Sequence, residues 1–414
     1  PIAGAMRGYG TPQGAFAIEC HMDEVAEALG VDPVEFRLKN TIREGDLDEL
    51  SPRIYEVKAQ TAEEGWPITS CGLQECIRKG AEAIGWAEKR RAYAEYNASD
   101  PVIRKGVGMA CLSQGSGVAG IDTANATIKL NEDGSVNLLI GAADVGTGGD
   151  TVIAQIVAET LGIDVEDVIL YTTDTDIVPF DSGAYASSTT YVSGNAALKA
   201  AERVKADVLQ AAAALMGEAA RDLRLEDHHV VSAKSGERLP LREVAMHSTY
   251  KQKEQIEHTA SFVSPVSPPP FAAQFAEVEV DTETGQIHVV EFVTAVDAGT
   301  IIHPKLAEGQ VEGAVSMGLG YALIEELAFD EEGRPMNKGL IDYKIFKAVG
   351  MPRLKTIFVE TYEPSGPYGV KAIAEIPTNG PAPAVANAVK HALGVRIYEL
   401  PLTPERVLRA LGKM

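Results

Sequence analysis

The sequence predicts an α+β fold built from two related units, each a β-hairpin followed by a helix. Strand-forming residues Thr127, Ile128 and Leu130 precede Glu132-Asp133-Gly134, a turn whose glycine suits positive φ, and Val136, Leu138 and Ile140 continue beyond it. The pattern recurs with Phe275, Val278 and Val280, the turn Thr282-Glu283-Thr284-Gly285, then Ile287, Val289 and Val290. Helical periodicity follows each hairpin, over 151–161 and 310–327.

The remaining elements follow in chain order. Phe16, Ile18, Met22, Val25, Ala26 and Leu29 recur at helical spacing up to Gly30, a good stop. Asp32-Pro33 reads as an N-cap with proline in the first turn of a short helix through Leu38, and one further helix is expected from Gly72 to about Tyr93. An alanine-rich helix is expected over 196–220, another over 383–393, and Pro404 opens a short terminal one. Ser264-Pro265-Val266-Ser267-Pro268-Pro269-Pro270 cannot join a ladder, because prolines lack the N–H donor, and marks the internal boundary. Three parts result: a helical lead-in, 1–95, too poor in apolar faces to stand alone; a first α+β unit, 96–262; and a second, 271–414.

With 45% hydrophobic and 23% charged residues, the chain has the composition of a soluble globular protein. No apolar run approaches the ~18 residues that span a bilayer, so no membrane association and a cytoplasmic location are expected. The net charge of −22 opposes encounter with phosphates and argues against a nucleic-acid partner. Cys20, Cys71, Cys76 and Cys111 include no Cys-x-x-Cys pair and read as buried reduced thiols rather than iron–sulfur ligands. His228 and His229 are adjacent and point to different faces, which does not favour a histidine metal site.

Three stretches could carry chemistry. Gly141-Ala142-Ala143-Asp144-Val145-Gly146-Thr147-Gly148-Gly149 lies between a strand and a helix; it is either a tight turn or a loop offering backbone N–H groups to an anion. It has neither a Walker lysine nor the dinucleotide-fold context. Ser182 to Thr190 is dense in hydroxyls, as either a plain serine-rich loop or a wrap around a polar ligand. Finally, Glu375 stands among Ile373, Ala374, Ile376 and Pro377. A carboxylate in apolar surroundings gains proton affinity and becomes a useful general base; a solvent-facing glutamate is the plainer alternative.

In their order along the chain these pieces resemble the molybdenum-binding part of the xanthine dehydrogenase and aldehyde oxidase family. Met6-Arg7-Gly8-Tyr9-Gly10 resembles the family's Arg-Gly-Phe/Tyr-Gly segment, Asp144-Val145-Gly146-Thr147-Gly148 its glycine loop at the pterin, and Ala186-Ser187-Ser188-Thr189 the loop at the pterin's phosphate end. Gly309-Gln310-Val311-Glu312-Gly313-Ala314 resembles a helix start that places Met317 toward the cofactor, and Lys371 to Pro377 the segment with the catalytic glutamate. Two departures stand out: Ala-Glu-Ile-Pro replaces the usual Gly-Glu-Pro-Pro, and Met317 occupies a position where many members have glutamine.

The resemblance implies a mixed α/β molybdenum-cofactor-binding fold and a hydroxylase chemistry. Glu375 would be the base that activates a water-derived oxygen for attack on an electron-poor carbon, with Tyr9 and Arg7 lining the substrate pocket. Arg7, Val145, Gly146, Thr147, Gly148, Ala186, Ser187, Ser188, Thr189 and Met317 would hold molybdopterin, in its cytosine dinucleotide form, with no side chain ligating the metal. The upstream half of the family's module is missing, and a Pro1 start fits removal of an initiator methionine from a separately encoded subunit, as in divided nicotinate dehydrogenases. A second molybdenum-binding subunit, whose module the 1–95 lead-in would complete, an iron–sulfur subunit and an FAD subunit are therefore expected as partners. The implied substrate is an N-heteroaromatic, nicotinate- or purine-like. Aldehyde or aromatic acyl-CoA oxidoreduction is the alternative, and a non-catalytic scaffold or assembly protein with the same fold is the alternative of another class.

Overall fold

The computed structural model describes residues 4–54 and 65–414, so residues 1–3 and 55–64 of the expected lead-in lie outside the described residues. The chain runs α1 (Thr11–Ala28), α2 (Pro33–Asn40), β1 (Leu47–Asp48), α3 (Ser51–Ile54), β2 (Trp66–Pro67), α4 (Leu73–Ile84) and α5 (Trp86–Asn97). Next come β3 (Ile103–Ser113), β4 (Thr123–Leu130), β5 (Val136–Ile140), α6 (Gly149–Leu161), β6 (Val168–Thr172) and α7 (Gly194–Met216). Then follow β7 (Leu223–Glu226), β8 (His229–Ser232), β9 (Arg238–Pro240), α8 (Leu241–His247) and β10 (Glu257–Val263). The last part holds β11 (Phe271–Asp281), β12 (Ile287–Asp297), α9 (Pro304–Leu323), β13 (Arg353–Phe358), α10 (Pro381–Leu393) and α11 (Pro404–Ala410).

Both hairpins form, and they nucleate two sheets of matching order, β10-β4-β5-β6 and β13-β12-β11-β3. In each, the hairpin is antiparallel and a third strand, reached after a helix, pairs parallel to its second strand: β6 with β5, β13 with β12. Gly134 (φ 94°) and Gly285 (φ 77°) take the left-handed turn positions that the sequence assigns them. Asp32 caps α2 by accepting from the Val34 and Glu35 amides.

Three features depart from the sequence reading. The helix expected from Gly72 to Tyr93 is two, because Gly85 (φ 72°) closes α4 and the chain restarts at Trp86. The helix expected over 310–327 starts six residues earlier, where Pro304 occupies the first turn behind His303, whose ring accepts from the Leu306 amide. And β3, from the 96–262 stretch, pairs along its whole length with β11 of the other sheet.

The second sheet is covered on both faces. Ala272, Ala276, Val278 and Val280 share a core with α9 and α10, while Phe271, Ala273 and Phe275 face a second core with Ile77 and Ile84 of α4 and with Trp86. The described lead-in thus packs on this chain's own sheet. The first sheet packs one face on α6 and α7 through Ile128, Val136, Leu138, Val157 and Val204. Helix α10 approaches β3 unusually closely: a Cβ on Gly108 would stand 2.1 Å from the Ala388 nitrogen and 2.4 Å from the Ala384 oxygen. Backbone meets backbone there, so neither side can yield by rotating a side chain. Gly108→Ala is expected to destabilise the fold by roughly 3 kcal/mol, read as a lowered urea midpoint at unchanged slope.

Candidate active site

Residues 371–375 belong to no helix or strand, so point contacts fix the shape of the segment that carries Glu375. Glu375 Oε1 accepts from the Gly8 amide at 3.1 Å, and Oε2 accepts from Ser187 Oγ at 2.8 Å. The Glu375 amide donates back to Ser187 Oγ at 3.2 Å. Ile376 is turned into the core that the second sheet shares with α9 and α10, while Ile373 and Ala374 line the same cavity as Glu375. Both carboxylate oxygens are oriented by polar donors.

Arg7 lies alongside. Its Nε donates to the Ala374 carbonyl, and Nη2 donates to Gln310 O at 3.1 Å and Gln310 Oε1 at 3.0 Å. Nη1 stands 4.0 Å from Met317 Sδ. Gln310 Nε2 in turn donates to the Gly146 carbonyl at 3.0 Å, tying the glycine loop to the same junction. Burial lowers the guanidinium pKa from its ordinary value, and the Glu375 charge opposes that shift. Arginine stays charged throughout, so the acceptors around it are obligatory.

The glycine loop takes the first of its two readings, a tight turn. Its N–H groups at Gly146, Thr147 and Gly148 do not face an external anion: all three donate to Asp144 Oδ1, at 2.8, 2.9 and 3.2 Å, and the Asp150 amide reaches Asp144 Oδ2 at 3.4 Å. Partial burial pushes the Asp144 carboxyl up, but these backbone donors outweigh it and hold its pKa below the usual carboxylate value. The loop is a self-capped turn that directs Val145 outward and the Gly146 carbonyl toward Gln310.

The serine-rich loop carries two consecutive non-glycine residues in the left-handed region, Ala186 (φ 47°) and Ser187 (φ 54°). Such residues cost on the order of 1–3 kcal/mol each and persist where surrounding contacts hold them. Here the Gly117 amide donates to Ala186 O at 2.8 Å, and Ser187 is bound to Glu375. The strained turn is what points the Ser187 hydroxyl at the carboxylate.

Arg7, Tyr9, Val145, Gly146, Thr147, Ala186, Ser187, Thr189, Met317 and Glu375 converge on one cavity of about 910 Å³. Two of the expected residues are not among its lining. Ser188 is buried and donates to Gly183 O at 3.2 Å, and Gly148 (φ 76°) sits at the start of α6 against Leu306. Tyr9 (75% exposed), Val145 (67%) and Met317 (41%) leave one wall open. Gln310 and Gln114 are lining residues that the sequence did not single out as site residues; Gln114 Oε1 accepts from buried Asn379 at 3.0 Å. Gln310 had a signal, since it stands inside the Gly309-to-Ala314 motif, but nothing local told which groups it would bridge.

Elsewhere, all four cysteines are free, and burial raises each thiol, Cys20 to about 12, which disfavours the thiolate. Among the described residues, the one grouping with metal-ligand chemistry outside the cavity is Asp164, Asp167 and His228. There each histidine ring nitrogen faces a different carboxylate, at 3.4 and 3.5 Å, as a surface ion-pair set.

The Asp144 cap gives a pH-dependent expectation. Its folded pKa is lowered, so its contribution is complete above the unfolded aspartate value of about 3.9 and is lost as pH falls through the lower folded value. Amide exchange at Gly146 to Gly148 should show protection that disappears in that window, while the β4–β5 amides stay protected. Asp144→Ala should abolish the loop protection at neutral pH and cost about 1 kcal/mol, as loss of a capping carboxylate does.

Comparison with known proteins agrees with this architecture. Residues 79–352 match a family described as molybdopterin cofactor-binding domain, and residues 1–41 match a second family of the same description. The chain is 40% identical to a putative xanthine dehydrogenase molybdenum-binding subunit of Escherichia coli strain K12, over 98% of this chain and 53% of that protein. It is 31% identical to an aldehyde oxidoreductase molybdenum-binding subunit of the same organism, over 99% of this chain and 53% of the other. Quinoline 2-oxidoreductase from Pseudomonas putida 86 superposes with a TM-score of 0.89 at 27% identity, covering 99% of this chain and 53% of that one. The chain therefore spans about half the length of the curated relatives it matches. Among the described residues, no helix is long and apolar enough to cross a membrane. With its two matched sheets, its cavity and the family match over most of its length, the chain belongs to the molybdopterin cofactor-binding domains of the xanthine dehydrogenase family.

Proposed function

We propose that this chain supplies the general base and one wall of the active site in a molybdopterin-dependent hydroxylase, with Glu375 as the base. The observation that carries this is the two-point grip on Glu375 at the cavity, by the Gly8 amide and Ser187 Oγ. A carboxylate held from both sides is aligned for proton transfer before substrate arrives, and alignment is where much of the rate of such a step originates.

The residues present fit a bound molybdopterin. Thr147 Oγ1 is buried with no hydrogen-bond partner among the described residues, and a Cβ on Gly146 would meet only open space. Ser187, Thr189 and Thr190 add hydroxyls to the same wall. Thr147, the Gly146 backbone, Thr189, Ala186 and Met317 would hold the group, in the cytosine dinucleotide form. When bound, it supplies the two-electron chemistry with its metal. This chain's own part is acid–base and steric. Glu375 takes a proton at a carboxylate oxygen, Gly8 and Ser187 hold its two oxygens, one each, Arg7 fixes the Ala374 carbonyl beside it, and Tyr9 stands at the substrate face.

The substrate reading is an electron-poor carbon of an N-heteroaromatic ring, nicotinate- or purine-like. The names of relatives support it: xanthine dehydrogenase at 40% and hypoxanthine oxidase at 38% identity stand above aldehyde oxidoreductase at 31%. Met317 in place of a polar side chain leaves that wall apolar, which suits a flat ring. The open wall would be closed by a second molybdenum-binding polypeptide, with iron–sulfur and FAD subunits carrying electrons away in the cytoplasm.

Metal analysis of the purified native complex should find one molybdenum per copy of this chain; absence of molybdenum would favour a scaffold with the same fold. Assays of nicotinate, purines and aldehydes with an artificial electron acceptor should show turnover with a heteroaromatic, and turnover with aldehydes alone would overturn that assignment. Glu375→Gln should keep the molybdenum content and lose turnover by roughly 10²- to 10⁴-fold.

A further inference from the structure

The segment that carries Glu375 begins at Lys371, whose side chain is fully buried. Its ammonium lies 2.7 Å from Asp297 Oδ2, also fully buried, donates to Ser70 O at 3.4 Å, and stands 5.3 Å from the centre of the Phe271 ring. Asp297 is the last residue of β12, and its carboxylate is saturated: Oδ2 also accepts from the Gly72 amide at 2.8 Å, and Oδ1 accepts from the Gly299 amide at 3.0 Å and Thr361 Oγ1 at 2.7 Å.

Stability alone is a weak reason for such a pair, because a buried ion pair is often matched or bettered by well-packed apolar residues. What the pair does that apolar packing cannot is define a point. The Lys371 amide bonds Ala298 O at 2.8 Å, the Ala372 amide bonds Ser116 Oγ at 3.0 Å, and the Glu375 amide bonds Ser187 Oγ at 3.2 Å. With no ladder over 371–375, those hooks hold only if the start of the segment is fixed. The charged end of Lys371 fixes it to the end of a central strand.

We propose that Lys371 and Asp297 are positioning residues for the reaction: a buried charge pair that pins the catalytic segment to β12 and so sets where the Glu375 carboxylate stands in the cavity. This rests on Glu375 being the base. Neither residue is asked to touch substrate or to exchange a proton.

The test uses the assembled, molybdenum-loaded complex, with Glu375→Gln as a parallel arm. Lys371→Met leaves Asp297 charged and unpaired, and should lower both melting temperature and kcat. Lys371→Met with Asp297→Asn removes both charges and keeps the acceptor for Gly299 and Thr361, at the loss of the one bond from the Gly72 amide, which Asp297→Asn alone measures separately. If the pair only balances charge, the double variant recovers both properties. Under the positioning role, melting temperature recovers while kcat stays down by roughly 10²-fold, the scale of a displacement of about 1 Å, and KM changes only a few-fold. Amide exchange at Ala372 and Glu375 should quicken by about tenfold in the double variant, with β4–β5 unchanged. Wild-type kcat and exchange in the double variant would overturn the proposal. Should either Lys371 variant fail to fold, Thr361→Val, which removes one donor from Asp297, gives a graded version: a several-fold loss in kcat with faster exchange over 371–375 supports the pin, and no change in either overturns it. If Glu375→Gln retains full turnover, the base assignment itself falls, a result distinct from any behaviour of Lys371.

Discussion

A guanidinium that cannot lose its proton is the constraint around which this site is arranged. Arg7 is drawn out of water, and burial works against its charge, so it must find acceptors inside the protein. It takes them from segments more than 300 residues away: the Ala374 carbonyl before Glu375, and both the backbone and the side-chain amide of Gln310 at α9. Through Gln310 the Gly146 loop is added. The segments that matter chemically are thus brought together around one cation, and the site exists only when Arg7, Gln310 and Ala374 have met.

Much of the fold is legible because its determinants are local. Hairpins are announced by glycines that only a left-handed turn position explains, as at Gly134 and Gly285, and helices by proline in the first turn behind Asp32 or Thr403. Pairing beyond the hairpin is a different matter. Nothing in Ile103–Ser113 distinguishes an edge of the first sheet from an edge of the second, because the choice is made by α10. Gly106 and Gly108 admit its backbone at contact distance, and Ala384, Ala388 and Ala392 present no bulk to resist it. Two patterns, far apart and each unremarkable alone, become informative only as a pair. Gly85 shows the converse: a glycine inside a helical pattern is compatible with continuation, and its positive φ is visible only in the fold.

The site divides in the same way. Glu375, Arg7 and Tyr9 could be named from motif order, and they do line one cavity. Directions within loops could not be read. Ile376 and Pro377 surround Glu375 in sequence, yet they point into the core, and the carboxylate meets Gly8 and Ser187. Ser187 reaches it only because Ala186 and Ser187 adopt a conformation that neither residue prefers. The donors of Gly146 to Gly148 looked available until Asp144, inside the same loop, proved to be their acceptor.

With the loop's amides satisfied internally, an anionic group gains little from the start of α6, and a second carboxylate-like charge beside Asp144 would be repelled rather than welcomed. In the proposed reading, recognition by this loop would rest on neutral groups: the unpartnered Thr147 hydroxyl and the neighbouring Thr189 and Thr190 on the cavity wall. Neutral donors discriminate by geometry more than by charge, and geometry is what a rigid, internally capped turn provides. The exposure of Tyr9 and Val145 fits this division of labour. In the proposed assembly, this chain would contribute shape and a fixed base.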